Sequence, residues 1–376
     1  MSLVTFLGIY FVREQGIAIA LVGLAFLAEN LSRGILAPFF GALSDRTGRR
    51  PLLLTGLIAT AFVLPCFLLV RGPVSLFAWS LALGIAGAIQ FPAGSALLLD
   101  LAPPERRQSV LAVNYSAMCI GYTIGVVPGG VLAEQGYGLL AIVGAGGYLA
   151  VALLFAVGLR GPLPQELTVS GESIVRRTLA VGRDRAFIAF ALLGLIFPLS
   201  MGLYAFVTAL FAYDMGLEQG MIGVILGANG IFIVLLAVPV AARIEPMGPF
   251  RLLGLAGAFL CAAYLCFALV PGAVSALLAG AMVFTLGELI FSSAVPAAVA
   301  RLAPPGSRGA YQGAWGLVHA LGMGSALLVS GVLKDLAGWS AAWLVFAGLS
   351  LAAGLALLAL RERFLRVSDR RAARLS

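Results

Sequence analysis

Residues 41–51 read Gly41-Ala42-Leu43-Ser44-Asp45-Arg46-Thr47-Gly48-Arg49-Arg50-Pro51, one acid and three arginines between two apolar runs, 17–40 and 52–70. Such runs are long enough for helices that cross a hydrocarbon core about 30 Å thick, which takes roughly 20 residues. The stretch therefore reads as a polar turn between two membrane helices. Gly41 permits close helix approach, Gly48 allows a tight turn, and Asp45 can pair with the neighbouring arginines or with a helix N-terminus.

Working outward, the same alternation fills the chain, with apolar spans near 1–12, 17–40, 52–70, 75–99, 109–133, 138–159, 186–212, 218–241, 252–270, 273–299, 309–333 and 340–360. They are too long and too evenly apolar for barrel strands, and backbone groups in hydrocarbon must be satisfied within the segment, so they are helices. Of 376 residues, 61% are hydrophobic and 11% charged, with mean hydropathy +1.05. A soluble domain carries about 25% charged residues. The reading is an all-α polytopic membrane protein; soluble, disordered, collagenous and disulfide-framed chains are excluded. Met1 to Val12 lacks the basic start and the cleavage site of a signal peptide and belongs to a span.

The net charge of +8 would point to nucleic acid in a soluble protein. Here the basic residues sit in short clusters between spans, and no nucleic-acid partner is expected. Cys66, Cys119, Cys261 and Cys266 lie in apolar runs with no metal or redox spacing, so neither metal nor cofactor is expected. Of the 24 Lys and Arg residues, all but Arg13, Arg71, Lys334 and the in-span Arg33 fall on one side of the alternation. The positive-inside rule places that side, with the C-terminus, in the cytoplasm.

Shifted by 200 residues, Leu36–Val70 overlays Leu236–Val270 without a gap and matches at ten of 35 positions, among them Gly48, Cys66 and Phe67. At offset 201, Leu101-Ala-Pro-Pro falls on Leu302-Ala-Pro-Pro and Arg107 on Arg308. The implied organisation is two six-helix repeats: a first half over 1–160, a cytoplasmic linker over 161–185 with an interfacial turn around Ile174 to Leu179, a second half over 186–360, and a basic tail over 361–376. The overlay lays Arg13-Glu14-Gln15-Gly16 on Tyr213-Asp214-Met215-Gly216, which would start the first span about 14 residues before Met1, so the first helix reads as truncated.

The stretch 41–51 resembles the signature between the second and third helices of the major facilitator superfamily, and twelve spans, a 6+6 repeat and a basic central loop extend the likeness over essentially the whole chain. The resemblance implies a cytoplasmic latch of Gly41, Asp45, Arg46, Gly48, Arg49 and Arg50, with Asp100 as a partner, made in the outward-open state and broken in the inward-open one. The equivalent loop 241–251 keeps only Glu245, Gly248 and Arg251. Gly121, Gly125, Pro128, Gly129 and Gly130 are similar to the glycine-rich motif of the antiporter branch, although Val126 replaces its proline. In the fourth span Ser80 stands where the drug-antiporter pattern carries an arginine.

Ionisable groups in mid-bilayer usually face a partner or a cavity. Glu29 and Arg33, four apart, share one helix face, either as an intrahelical ion pair or as a pair that rearranges in transport. Glu288, near the middle of the tenth span, has no cation on its own helix and is the candidate for protonation or cation recognition, against a carboxyl merely hydrogen-bonded to another helix; Leu286-Gly287-Glu288-Leu289-Ile290 resembles a Gly-Glu element of drug-exporting facilitators. Gln90, Asn114, Asn229 and His319 are weaker cavity candidates, with Gln312 and Asn30 beside them; each polar group also serves as interhelical glue. Phe91, Tyr115, Tyr122, Phe197, Tyr204, Phe291 and Trp315 can build an apolar cavity or simply pack.

The expected function is a secondary active transporter working by alternating access, exchanging protons for hydrophobic or amphiphilic small molecules, and acting as a monomer in the cytoplasmic membrane. The alternatives are a facilitator of a polar or anionic metabolite, with Arg33 as anion site, and a transport-dead membrane sensor. An enzyme is not expected: no nucleophile and base pair and no phosphate-binding Gly-Lys loop stand out.

Overall fold

The computed structural model describes residues 4–103, 107–158, 181–244, 246–270, 273–304 and 307–372, of which 99, 107–109, 111–112, 115–116 and 367–372 are described as backbone alone. The interfacial turn at Ile174 to Leu179, Arg106, Glu245 and Arg374 lie outside the described residues, as do the side chains of Arg107 and Tyr115.

Ten helical segments among the described residues are long and apolar enough to cross a membrane. The first six helices are α1 (Val4–Ile9, continued by a π-helical turn at Tyr10–Glu14), α2 (Ile19–Thr47), α3 (Arg49–Leu69), α4 (Pro73–Asp100), α5 (Arg107–Gln135) and α6 (Tyr137–Gly158). Then follow α7 (Arg185–Asp214), α8 (Gln219–Ile244), α9 (Pro249–Leu269) and α10 (Val274–Leu302). The continuous stretch Arg308–Ala359 is two helices, α11 (308–337) and α12 (339–359), because Gly338 sits at φ 81 between them. A short α13 (Arg361–Ala372) closes the described chain.

Two boundaries differ from the hydropathy reading for one reason: a helix leaving the membrane continues until a residue breaks it. α2 runs through the polar turn to Thr47, because only Gly48, at φ 99, leaves the helical region; its N–H still donates to the Ser44 carbonyl at 3.0 Å. Asp45 and Arg46 are thus helical residues. The charged residues Lys334 and Asp335 likewise stay within α11. At the start of α7, the Asp184 carboxylate accepts from the backbone N–H of Ala186 at 3.0 Å and caps the helix.

Helices from the first six meet helices from the last six along two seams, α2 with α11 and α5 with α8. Lipid supplies no hydrophobic force between helices, so close backbone contact matters. A Cβ on Gly23 would lie 2.1 Å from the Leu328 nitrogen, one on Gly324 2.9 Å from the Leu27 Cα, and one on Gly331 2.7 Å from Ile19. Across the other seam, a Cβ on Gly130 would lie 2.3 Å from the Gln219 carbonyl oxygen and one on Gly223 2.8 Å from that of Val126.

These contacts gather at the end opposite the arginine-rich loops. There the Arg13 Nε donates to Asp214 at 2.9 Å, the Trp339 indole donates to the same carboxylate at 2.9 Å, and the Gly220 N–H donates to Glu134 at 2.6 Å. Toward the basic end, among the described residues, glycine contacts across the seams reach as far as Gly34 on α2 and Gly230 on α8. Beyond them Phe39 is 61% and Val238 77% exposed, and Gly41 faces Pro92 of the first six helices. The two sets are closed against each other at the non-basic end.

The second set is internally tight: Trp343 is packed against Tyr264 and Phe267 with ring centroids 5.5 and 5.1 Å apart, and a Cβ on Gly257 would lie 2.6 Å from the Ser350 carbonyl oxygen. The two kinds of glycine make a testable contrast. Gly257→Val overpacks a contact within one set and is expected to cost about 1–3 kcal/mol, read as a lower melting temperature in detergent. Gly23→Val is expected instead to raise thiol labelling of a cysteine placed at position 19, which the closed seam buries against Gly331, with a smaller change in melting temperature. Equal effects of the two on melting, with labelling unchanged, would refute this.

Candidate functional site

Glu288 sits at the midpoint of α10 and is buried. Its Oε2 accepts from the Asn229 amide of α8 at 2.7 Å, and the same amide donates to the Thr285 hydroxyl at 3.0 Å. Thr285 in turn donates to the Ala281 carbonyl at 2.8 Å, which commits both amide hydrogens of Asn229. Among the described residues Glu288 makes no ion pair.

This cluster forms part of the wall of a cavity of about 390 Å³ between α1, α5, α7, α8, α10 and α11. The remaining wall is mostly apolar and aromatic, with Tyr122, Tyr204, Phe206 and Phe284 beside the thioethers of Met118, Met201 and Met323. Tyr204 stacks on Phe284 with centroids 4.4 Å apart and donates to the Ile225 carbonyl at 3.1 Å, so its ring is fixed. It lies in the π-helical turn of α7, Leu203–Val207. Local widening of a helix turns side chains into a site that regular winding would turn away. The buried hydroxyls of Thr5 and Tyr122 lie together here and, among the described residues, bond to no other group.

A second cavity, of about 560 Å³, lies among the first six helices and borders the first at Met118 and Gly121 of α5. Arg33, Gln90, Phe91 and Tyr148 line it. Arg33 donates to Glu29, and Asn30 donates to the other carboxylate oxygen of Glu29 at 2.9 Å. Two glycines of α4 admit this cluster: a Cβ on Gly84 would lie 2.4 Å from the Glu29 carbonyl oxygen, and one on Gly87 2.8 Å from the Arg33 Nε. Among the described residues that Nε is buried without a hydrogen-bond partner, and the Gln90 amide lies beside the Tyr148 hydroxyl. The intrahelical ion pair is therefore formed, and it faces a cavity.

Glu288 and Asn229 come together, and Glu29 and Arg33 come together, in neighbouring cavities. Asn114 and His319 line neither; the Asn114 amide lies 3.7 Å from the Met118 sulfur. Gln312 donates to the Pro296 carbonyl at 3.0 Å. Of the aromatic candidates, Tyr122, Tyr204 and Phe91 reach the cavities, whereas Phe197 packs on Phe291 and Trp315 on Phe190. Thr285 and Thr5 were missed. Thr285 carried a signal, lying three residues before Glu288 on the same helix face; Thr5 carried none.

At the basic end Arg49 donates to Asp45, to the Ser44 hydroxyl at 2.8 Å and, through Nε, to Asp100 at 3.0 Å. Arg50 reaches the Ala156 carbonyl at the end of α6, at 2.6 Å. Arg46 is exposed, and Gly48 supplies the positive φ that lets Arg49 turn back. All these contacts lie within the first six helices.

The sequence signature described as Major Facilitator Superfamily matches residues 1–287 and 190–374. The chain belongs to that superfamily. It is 26% identical over 364 residues to the MFS-type transporter YqjV of Bacillus subtilis, covering 95% of this chain and 87% of that one. It is 27% identical over 341 residues to the multidrug resistance protein MdtH of Aeromonas salmonicida, covering 87% and 82%. A shorter match, 32% over 133 residues, is to a Na(+), Li(+), K(+)/H(+) antiporter of Planococcus maritimus, covering 34% of this chain and 31% of that one. The fold superposes on the crystal structure of the nucleoside transporter NupG with TM-score 0.78 at 17% identity, covering 96% and 94% of the two chains. This facilitator is thus a multi-pass membrane protein of a family of transporters, not enzymes.

The Glu29–Arg33 pair predicts an asymmetry in mutants. Removing one partner of a buried pair leaves an uncompensated charge and costs roughly 3 kcal/mol, whereas replacing both costs far less. Glu29→Gln is expected to lower the melting temperature of the purified facilitator more than Glu29→Gln combined with Arg33→Met does. A double variant as unstable as the single one would show that the pair is not a unit.

Proposed function

We propose that this facilitator is a secondary active transporter that exports hydrophobic or amphiphilic small molecules in exchange for protons, with Glu288 as the group for which the two compete. One observation carries the reading: a carboxyl at the midpoint of α10, hydrogen-bonded to a neutral amide and without a cation among the described residues, faces an apolar aromatic cavity. In hydrocarbon such a group favours its neutral, protonated form, and a lipophilic cation entering the cavity favours the charged one. Cation entry and proton departure are then linked. Aromatic faces and methionine sulfurs suit flat apolar substrates of varied shape. The names of MdtH and of the Planococcus antiporter are in keeping with both halves of the proposal.

With the arginine-rich end in the cytoplasm, the closed seams face the outside and the cavities lie toward the cytoplasm, an inward-facing arrangement. Rocking the units 1–160 and 186–360 about the glycine seams would expose the same cavity to the other side. Gly41, Asp45, Arg46, Gly48, Arg49, Arg50 and Asp100 would then close on the second unit at the cytoplasmic face. A monomer in the cytoplasmic membrane suffices for this cycle, with the linker and tail on the cytoplasmic side. Anion transport through Arg33 is less favoured, because Glu29 already neutralises it.

The test is proton release from purified protein on adding a panel of lipophilic cations. Wild type is expected to release protons. Glu288→Gln is expected to release none and to bind the cations about tenfold more weakly, about 1.4 kcal/mol. Binding without release in wild type, or no binding, would favour a facilitator of polar metabolites instead.

A further inference from the structure

A third cavity, of about 260 Å³, lies at the basic end of the last six helices, away from the transport cavities. Its wall holds Arg251 from the first turn of α9, Arg301 from the last turn of α10 and Arg361 from the start of α13, together with Gly248, Glu362 and Leu365. Among the described residues Glu362 is the only acid on the wall; it lies 4.0 Å from Arg361 and 3.5 Å from Arg366. Arg251 and Arg301 make no ion pair among the described residues. The cavity therefore keeps an excess of positive charge.

The chain overlay explains how this arises. In the first half the arginine at the start of α3 is neutralised by the carboxylate at the end of α4, Arg49 to Asp100 at 3.0 Å. At offset 201 the position of Asp100 is occupied by Arg301. The second half thus puts a cation where the first has its neutralising carboxylate, on the wall it shares with Arg251, whose counterpart at that offset is Arg50. Two further features hold the site open to an anion. α9 begins at Gly248 without a side-chain cap, so the positive end of the helix faces the same region, although Pro249 carries no N–H and that of Arg251 already donates to the Gly248 carbonyl at 3.0 Å. The buried Phe364 of α13 stacks on Phe250 at 5.1 Å and meets Phe190 at 6.3 Å, which fixes Arg361 over the cavity rather than leaving it on a loose tail.

We propose that this cavity binds a phosphoryl anion through Arg251, Arg301 and Arg361. Guanidinium forks match phosphate oxygens in pairs, and basic pockets between membrane helices recognise anionic headgroups. The phosphoryl group can belong to an anionic phospholipid or to a free phosphate compound. Purified full-length protein is compared in nanodiscs of phosphatidylcholine with and without phosphatidylglycerol, and in detergent with inorganic phosphate against chloride at matched ionic strength. Thermal unfolding and lipid retention in native mass spectrometry are read.

Wild type is expected to be stabilised, and Arg251→Gln with Arg301→Gln to weaken the apparent affinity roughly tenfold or more. Arg71→Gln, at the opposite end, is expected to leave it unchanged. Stabilisation by phosphatidylglycerol alone assigns a lipid headgroup; stabilisation by inorganic phosphate as well assigns the phosphoryl group itself. Should the double variant not fold, each single Gln variant and the Arg251→Lys, Arg301→Lys pair, which keeps charge but loses the fork, carry the comparison. No stabilisation of wild type by either probe, or affinity undiminished in every folded variant, overturns the proposal.

Discussion

The close crossing of α2 on α11 and of α5 on α8 governs the architecture. At both seams glycine removes the Cβ that would otherwise hold the backbones apart, and the dispersion attraction between the touching backbones replaces the hydrophobic force that lipid does not provide. Because the close crossings lie toward one end, the cavity lined by Glu288 survives between the two sets of helices. Even spacing along the full length would fill the space that Glu288 faces.

Charge in hydrocarbon is handled in two ways. In the first set, Glu29 and Arg33 neutralise each other on one helix face, and the bare backbone of Gly84 and Gly87 makes room for them. In the second, the described partner of Glu288 is the Asn229 amide, which is neutral. The first arrangement pairs opposite charges; the second gives the carboxyl a neutral hydrogen-bond donor. At the basic end the contrast has the same sense with the opposite sign of charge, Arg49 being satisfied by Asp45 and Asp100 while Arg251 and Arg301 share a cavity. The two sets of helices therefore differ in how they place charge.

Much of the fold was legible along the chain. Hydropathy located the membrane helices, and residues 41–51 named the superfamily that the sequence signature also identifies. Boundaries were less legible, because α2 and α11 continue into polar sequence until Gly48 and Gly338 stop them. For the site, Glu288 stood out as a lone carboxyl in a span. Its partner Asn229, the neighbouring Thr285, and Tyr204 in a π-helical turn became a cluster only through packing. Asn114 and His319 looked equivalent to Asn229 in sequence yet line neither cavity.

Span number, the bias of arginines to one side, and family membership depend on composition within single segments, which a linear sequence records completely. The rotation of each helix about its axis and the end at which the seams close depend on contacts between residues far apart in the chain, such as Gly23 with Leu328 and Asn229 with Glu288. Nearly every face of these helices is apolar, so periodicity carries little information about which face turns inward. Steric fit between backbones made that choice, and only the tertiary structure contains it.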